Sequence, residues 1–175
     1  MTARAAGSAA GAPALSLVIP TYNEAGNIEP LLDRLERVLA GRNWEVLFVD
    51  DNSPDGTTAV VEKAAKARVN VRCLSRIGRR GLTSACLEGF AATKGQFIGV
   101  MDADLQHDES LLPRMLDMLE AGEAELVVAS RYAVGGSTGD FPLPRLVISH
   151  AGTWFACVLL GIGLSDPMKI GRAHV

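Results

Sequence analysis

Two aspartates and a glutamine, Asp102, Asp104 and Gln106, occupy alternate positions at the end of an apolar run in FIGVMDADLQHD, residues 97–108. Side chains alternate faces along an extended strand, so Asp102 and Asp104 point the same way where the strand ends. Two carboxylates this close repel each other unless a positive charge lies between them. A hard divalent cation resolves the repulsion, and Mg²⁺ or Mn²⁺ typically arrives with a substrate's phosphates. The alternative is a solvated acidic turn, because an isolated Asp-x-Asp is common.

Apolar strands alternate with amphipathic helices along most of the chain. Short apolar runs predict strands at Leu15–Pro20, Glu45–Val49, Val69–Leu74, Phe97–Met101 and Leu126–Ser130. Apolar residues at helical spacing predict helices at 28–39, 57–67, 81–92 and 111–120. This alternation predicts an α/β fold, with a mostly parallel sheet covered by helices on both faces.

Polar residues gather at the carboxyl ends of these strands, which is where ligands bind in such sheets. The residues are Pro20, Tyr22, Asn23 and Glu24 after the first strand, Asp50 and Asp51 after the second, Asp102 and Asp104 after the fourth, and Ser130 and Arg131 after the fifth. Any one of them could be a turn or cap residue. Their occurrence at four strand ends, along the one edge of the sheet that we call the rim, predicts a ligand site.

Length and composition narrow the class of protein. The 175 residues suffice for one α/β domain or for part of a larger one, and the net charge of −3 gives no basic footprint for a nucleic-acid partner. The three cysteines, Cys73, Cys86 and Cys157, are far apart and indicate buried thiols in a reducing compartment. Residues 1–14 are small and lack an apolar core, which predicts a disordered tail and no signal peptide.

Five segments resemble, in order, the family 2 glycosyltransferases of the GT-A fold. They are SLVIPTYNEAGNI, VLFVDDNSPDGT, RRGLTSACLEGFAATKG, VMDADLQHDESLLPRML and VVASRY. Within that family the chain is most similar to the dolichol- and polyprenol-phosphate mannosyltransferase branch, through DADLQHD, SRY and LSDPM. The resemblance extends from Leu15 to Met168 and implies a Rossmann-like sheet of the GT-A type.

The resemblance also implies how the donor nucleotide is held. Pro20, Tyr22 and Glu24 would flank the base and ribose, and Asp51 would accept a hydrogen bond from a ring N–H. The neighbouring Asp50 would either contact the ligand or brace the turn, and we favour bracing.

The metal and diphosphate site implied by the resemblance comprises Asp102, Asp104 and Gln106, with Asp102 also contacting the donor. Gln106 would add a neutral oxygen ligand to Mg²⁺ or Mn²⁺. Arg131 matches a family arginine near the phosphates, where its planar fork suits bidentate binding. Asp104 and Arg131 are therefore the residues expected to act in catalysis.

Three further residues near the rim have two interpretations each. Arg79 and Arg80 form a basic turn that would lie near the donor or in solvent. His107 would line the acceptor pocket or, as we favour, precede a helix that Asp108 or Ser110 caps.

These roles imply an inverting transfer of mannose or glucose from a nucleotide-diphosphate sugar, such as GDP-mannose or a UDP-sugar, to a polyprenyl or dolichyl phosphate. The cation would stabilise the leaving diphosphate as a Lewis acid. A lipid phosphate is already anionic, so no dedicated general base is needed. We expect this activity at the cytoplasmic face of a membrane.

The resemblance to the family also implies the domain boundaries. Residues 15–142 would form the catalytic domain, and residues 143–168 its C-terminal part, with Leu146–Leu164 as a helix at the membrane interface rather than across the bilayer. Residues 169–175 (KIGRAHV) depart from the family and back-translate to a common sequencing-adapter sequence. We therefore expect a non-native tail after a gene fragment that stops at about Met168.

Other functional classes fit the sequence less well. A phospho-receiver domain normally has its aspartate pair after the first strand, whereas Asp50 and Asp51 follow the second. VIPTYNEAG is not the Gly-rich loop of a pyrophosphorylase, and no G-x-G-x-x-G marks a dehydrogenase. Three alternatives stay open: a family 2 enzyme that glycosylates a sugar hydroxyl, a receiver-like signalling domain, and a non-catalytic nucleotide-sugar-binding fragment.

Overall fold

The computed structural model describes residues 11–129 of the chain. Its strands are β1 (Leu15–Thr21), β2 (Trp44–Asp50), β3 (Val71–Ser75) and β4 (Phe97–Val100). Its α-helices are α1 (Ile28–Val38), α2 (Thr57–Ala67), α3 (Leu82–Ala92) and α4 (Leu112–Glu120), and a 3₁₀ turn spans Glu109–Leu111. The chain divides into two compact units, Met1–Leu116 and Asp117–Val175, and the site described below lies in the first.

The described strands form one parallel sheet in the order β3-β2-β1-β4. The chain therefore moves outward from β1 to β3 and then returns to the other side of β1. In such a sheet the reversal leaves a crevice between the two strands where the order changes, here β1 and β4.

Helices cover both faces of the sheet, as the sequence predicts. Leu17, Ile19, Val46 and Phe48 face α1 and α2, in a cluster that also contains Leu116. On the other face Val18, Leu47 and Val49 pack with Ala85 of α3. Alternate residues of β1 and β2 thus enter opposite cores, which explains why these two strands carry almost continuous apolar runs.

Two of the predicted strands differ from the structure. The third begins at Val71 rather than Val69, because Val69 is fully exposed in a turn that the Val71 N–H closes on the carbonyl of Arg68 at 3.1 Å. Residues 126–129 form no strand, although their sequence is apolar. A strand requires a hydrogen-bonding neighbour, and within residues 11–129 β4 pairs only with β1.

Residues 12–14, which the sequence assigned to a disordered tail, are hydrogen-bonded to the rest of the chain. The carbonyl oxygen of Ala12 accepts from the Asn43 side chain at 2.9 Å, and the Ala14 N–H donates to the Asn43 carbonyl at 2.8 Å. The Pro13 carbonyl accepts from the Gln96 N–H at 3.0 Å. Residues 12–14 are thus joined to the chain around β2 and β4.

Polar side chains surround the buried Glu45 carboxylate at the amino-terminal edge of the sheet. The Ser16 hydroxyl donates to Glu45 Oε1 at 2.6 Å, and Arg72 Nη1 donates to Glu45 Oε2 at 3.0 Å. Burial raises the pKa of Glu45, but hydrogen bonds from Ser16, Arg72 and the Lys94 N–H outweigh it and hold the pKa below its ordinary value. The carboxylate therefore joins β1, β2, β3 and the end of α3.

Two of the predicted buried thiols lie in the described part of the chain, where both are free of disulfides. Burial, reinforced by Asp50 and Glu62, raises the pKa of Cys73 to about 11. None of the helices within residues 11–129 has the length and apolarity that crossing a bilayer requires. The predicted interface helix at Leu146–Leu164 and the tail at 169–175 lie outside the described residues.

Candidate functional site

The crevice at the topological switch opens where β1 and β4 stop pairing. Their register ends at Val18 and Val100, and the Met101 N–H makes a final bond to the Val18 carbonyl at 3.3 Å. Pro20 lies two residues further on, so its ring nitrogen faces the same side as Val18 and brings no N–H to a neighbour. A proline here suits the end of pairing and places the following residues at the mouth of the crevice.

The turn after β1 is braced against the turn after β2 by hydrogen bonds from backbone N–H groups to side-chain oxygens. They run from Asn23 to Ser53 Oγ at 3.0 Å, from Glu24 to Thr57 Oγ1 at 2.9 Å, and from Ala25 to Asp55 Oδ2 at 3.1 Å. The hydroxyl of Thr57 also donates to Asp55 and is the main cause of its lowered pKa. The Glu24 carboxylate accepts from the Asn27 side chain at 2.6 Å. The predicted donor-binding turn is thus held in one shape.

Asp50 braces the turn, which confirms the favoured interpretation of this residue. Its carboxylate is fully buried and accepts from the hydroxyls of Thr21 at 3.1 Å, Ser53 at 2.5 Å and Thr58 at 2.6 Å, and from the Ser53 N–H at 2.9 Å. Four such bonds occupy the lone pairs of both oxygens. Asp50 is a structural acceptor with its hydrogen-bonding capacity filled.

Asp51 lies at the rim with both of its oxygens in contact with the loop that follows β3. Its Oδ1 accepts from Arg76 Nη1 at 2.5 Å, and its Oδ2 accepts from the Gly81 N–H at 2.8 Å. The Asp51 side chain keeps 12% of its surface exposed, whereas that of Arg76 keeps 1%. Each carboxylate oxygen retains one lone pair, so Asp51 can still accept from a ligand.

The basic turn lies beside Tyr22, one of the residues predicted to flank the base and ribose. The guanidinium carbon of Arg80 lies 4.6 Å from the centroid of the Tyr22 ring, a cation–π contact, and Tyr22 is 43% exposed. Arg79 forms an ion pair with Glu88 of α3 at 3.1 Å. Both arginines are exposed, and each contacts one neighbouring side chain, Glu88 for Arg79 and Tyr22 for Arg80.

The carboxylates of Asp102 and Asp104 flank one histidine. Asp102 Oδ2 lies 4.0 Å from His107 Nε2, and Asp104 Oδ1 lies 3.8 Å from His107 Nδ1. Asp104 Oδ1 also accepts from the Gln106 N–H at 3.0 Å, which closes a tight turn. Among the described residues, buried His107 Nδ1 has no hydrogen-bond partner. Asp102 and Asp104 thus come together as predicted, around an imidazole that the sequence did not place between them.

This cluster fits a divalent cation bound together with a substrate. The two carboxylates supply the oxygen donors that Mg²⁺ or Mn²⁺ prefers, and the buried imidazole nitrogen beside them has no hydrogen-bond partner among the described residues. In residues 11–129 no three His, Cys, Asp or Glu side chains are arranged to hold a metal on their own. A cation here would complete its shell with phosphate oxygens and water, as Mg²⁺ commonly does.

Three residues other than glycine adopt positive φ in the described chain, and all three lie on the rim. They are Asn23 at 61° after β1, Asn52 at 55° after β2, and Leu105 at 60° between Asp104 and Gln106. Asparagine tolerates this left-handed region, but a bulky residue there is strained. Leu105 packs its side chain against the main core cluster, and this packing holds the strained backbone in place.

The buried thiol of Cys86 on α3 is influenced by residues from both halves of the rim. Burial raises its pKa, Asp102 raises it further, and Arg76 lowers it. Asp102 belongs to the metal side of the site, and Arg76, through its contact with Asp51, belongs to the base side.

Most residues of this rim were predictable from the sequence, but two contributors were missed. Arg76 had no predicted role, although an arginine two residues after a predicted strand was a usable signal. His107 was predicted to precede a helix capped by Asp108 or Ser110, and the structure shows Asp108 capping a 3₁₀ turn through the Ser110 N–H at 3.1 Å. The contacts of His107 with Asp102 and Asp104 were not predicted. Arg131 lies outside the described residues, together with Ser130 and Tyr132.

The sequence is similar to those of curated mannosyltransferases. The sequence is 40% identical over 158 residues to the dolichol-phosphate mannosyltransferase of Saccharomyces cerevisiae, covering 88% of this chain and 58% of the relative. It is 37% identical over 135 residues to the enzyme of the same name from Pyrococcus furiosus, covering 77% and 38%. The chain thus spans less than two thirds of the length of these curated relatives.

A solved structure shares the fold. The mannosyltransferase of Pyrobaculum calidifontis, in complex with GDP-Man and Mn²⁺, superposes with a TM-score of 0.54 at 26% identity, covering 67% of this chain and 34% of that one. The parallel sheet and its covering helices are those of the GT-A glycosyltransferases. The family Glycosyl transferase family 2 matches residues 16–172. The chain belongs to glycosyl transferase family 2.

Proposed function

We propose that this chain forms the donor-binding part of an inverting glycosyltransferase that moves mannose or glucose from a nucleotide-diphosphate sugar to a polyprenyl or dolichyl phosphate. One observation carries the proposal: Asp51 and the Asp102–Asp104 pair lie on one rim, after the carboxyl ends of β2 and β4, the two strands on either side of β1. The first suits a nucleobase and the second a metal-bound diphosphate. The named activities of the curated relatives support the sugar and the acceptor.

Each half of the rim would hold one end of the donor. Asp51 would accept from a ring N–H of the base, with Pro20, Tyr22 and Glu24 beside the base and ribose. Asp102, Asp104 and Gln106 would hold Mg²⁺ or Mn²⁺, which neutralises the charge that develops on the leaving diphosphate. The solved relative that contains GDP-Man and Mn²⁺ supports this pairing of nucleotide and metal.

A lipid-phosphate acceptor suits the groups on this rim. Its oxygen is already anionic, so attack on the anomeric carbon, from the face opposite the diphosphate, needs no carboxylate base and inverts the configuration. In this proposal the carboxylates described here already brace turns, accept from the base or hold the cation. Arg131 is proposed to face the phosphates, and the activity is proposed to occur at the cytoplasmic face of a membrane.

Nucleotide titration tests the donor site directly. Calorimetry with GDP and with UDP should give binding in Mn²⁺ or Mg²⁺ and little binding in EDTA. Asp104→Ala should abolish the metal dependence together with tight binding. Asp33→Ala, which removes an exposed carboxylate on α1, is the matched control and should behave as wild type. Equal affinity in EDTA and in Mn²⁺ would remove the metal from the proposal.

Identifying the acceptor requires a transfer assay with the full-length gene product, because the chain is shorter than its relatives. Radiolabelled GDP-mannose and UDP-glucose are offered with either dolichyl phosphate or a sugar-hydroxyl acceptor. Label that enters the lipid phosphate supports the proposal. Label that enters only the hydroxyl acceptor would assign the protein to polysaccharide or glycolipid synthesis.

A further inference from the structure

Arg76 is a buried cation that the proposed mechanism does not use. It follows β3 directly, and its N–H donates to the Asp50 carbonyl at 2.8 Å. Its guanidinium lies against Asp51 at the rim, and the side chain is only 1% exposed. We propose that Arg76 is a positioning residue for nucleotide binding, acting through Asp51 to orient the carboxylate that receives the base. This inference rests on the proposed function of Asp51.

The guanidinium is held from three sides, so its direction is fixed. Nε donates to Glu88 at 3.3 Å and Nη2 donates to Ser84 at 2.6 Å, both on α3. Nη1 donates to the Gly81 carbonyl at 3.3 Å and to Asp51 Oδ1. A planar fork with several fixed partners has little freedom to rotate. The contact with Asp51 is therefore made in one orientation.

Asp51 is correspondingly clamped between two donors. Arg76 fixes Oδ1 and the Gly81 N–H fixes Oδ2, so the plane of the carboxylate cannot turn. Arg76 also contacts the Gly81 carbonyl, and it thereby holds the second donor as well as the first. Loss of Arg76 would release both ends of the clamp, and a mobile carboxylate binds a directional N–H less well.

Stability alone is a weak reason for such an arrangement. Burying a guanidinium costs several kcal/mol in desolvation, and apolar replacements of buried ion pairs are often neutral or stabilising. Arg72 provides the contrast, because it meets Glu45 at 3.0 Å and the Ala92 carbonyl at 3.0 Å at the opposite edge of the sheet. That pair is remote from the rim, whereas the Arg76 pair ends on the residue proposed to bind the base.

The test compares nucleotide affinity in four proteins: wild type, Arg76→Gln, Asp51→Asn and the double variant. In Mn²⁺, Arg76→Gln should weaken GDP or UDP binding about tenfold, as expected when a charged hydrogen bond to the receiving group is lost. In the Asp51→Asn background the same change should cost almost nothing, because the group it orients is already altered. Arg72→Gln is the matched control and should keep wild-type affinity.

Inorganic pyrophosphate separates positioning from general damage. It binds the metal side of the site but carries no base, so Arg76→Gln should leave Mn²⁺-dependent pyrophosphate binding unchanged. A purely structural role would weaken pyrophosphate and nucleotide alike. Wild-type nucleotide affinity in folded Arg76→Gln, or fully additive losses in the double variant, would overturn the inference.

Two further controls complete the design. If circular dichroism shows that Arg76→Gln is unfolded, Arg76→Lys replaces it, since lysine keeps the charge but cannot meet Asp51, Ser84 and Glu88 together. Intermediate nucleotide affinity with normal pyrophosphate binding is then expected, and equal losses of both would overturn the inference. If wild type binds neither GDP nor UDP, the proposed function itself fails, an outcome distinct from failure of Arg76 alone.

Discussion

The contact between Arg80 and Tyr22 joins an exposed cation to a residue predicted to flank the base. Arg80→Met should weaken GDP or UDP binding roughly two- to fivefold, since an exposed cation–π pair contributes about 0.5–1 kcal/mol. Titration calorimetry at low salt measures the change. Arg79→Met is the control and should have a smaller effect, because Arg79 pairs with Glu88 rather than with Tyr22. Tighter binding by Arg80→Met would instead show that Arg80 competes with the base for the ring.

Residue types at the rim were predictable, whereas the partners of those residues were not. Asp51, Asp102 and Asp104 stand out because they follow apolar strands at the edge of the predicted sheet where ligands bind. Arg76, however, comes 25 positions after Asp51 in the chain. That contact depends on how a whole strand and loop fold back, which no local pattern encodes. The same holds for the brace from Asn23 to Ser53, which are 30 positions apart.

The close contact of α3 with the sheet depends on one glycine. A Cβ on Gly89 would collide with the Val18 side chain and would lie 3.2 Å from Cγ2 of Val49. Gly89→Ala should therefore destabilise the protein by about 1–3 kcal/mol, the usual cost of overpacking, despite alanine's better helix propensity. Urea unfolding measures the loss.

Gly26→Ala is the matched control for this substitution. A Cβ there meets nothing within 4 Å, so its stability should stay within about 0.5 kcal/mol of wild type. Wild-type stability of Gly89→Ala would mean that α3 does not pack as closely against β1 as described.

The helices and central strands were predicted well because each buries a long apolar face. Predicted and observed bounds of α2 agree at Thr57–Ala67, and those of α1 and α3 differ by one residue. The wrong predictions concern segments in which strand pairing, rather than composition, determines whether a strand forms. Val69 is apolar yet lies in a turn, and the apolar residues 126–129 have no strand neighbour in the described part of the chain.

For the whole molecule, the Glu45 cluster predicts how stability depends on pH. Because the folded pKa of Glu45 lies below its ordinary value of 4.5, its stabilisation is present above that value and is lost as the pH falls through the folded pKa. Glu45→Gln should lower the free energy of unfolding at pH 7 by about 1–3 kcal/mol. The difference from wild type should shrink as the pH is lowered below 4.5.

Chemical unfolding across this pH range measures both effects. Glu62→Gln, which neutralises an exposed carboxylate on α2, is the control and should change stability little at any pH. A gap between Glu45→Gln and wild type that stays constant from pH 7 to about pH 3 would contradict the assigned role of Glu45.

The left-handed backbone of Leu105 has a consequence for protein engineering. Glycine or asparagine would adopt that conformation with less strain, which favours replacing the leucine. The leucine side chain, however, packs against the core, and losing that contact costs stability. A screen for heat resistance would weigh these two contributions against each other. The residue recovered at position 105 after laboratory evolution would reveal which of them is larger.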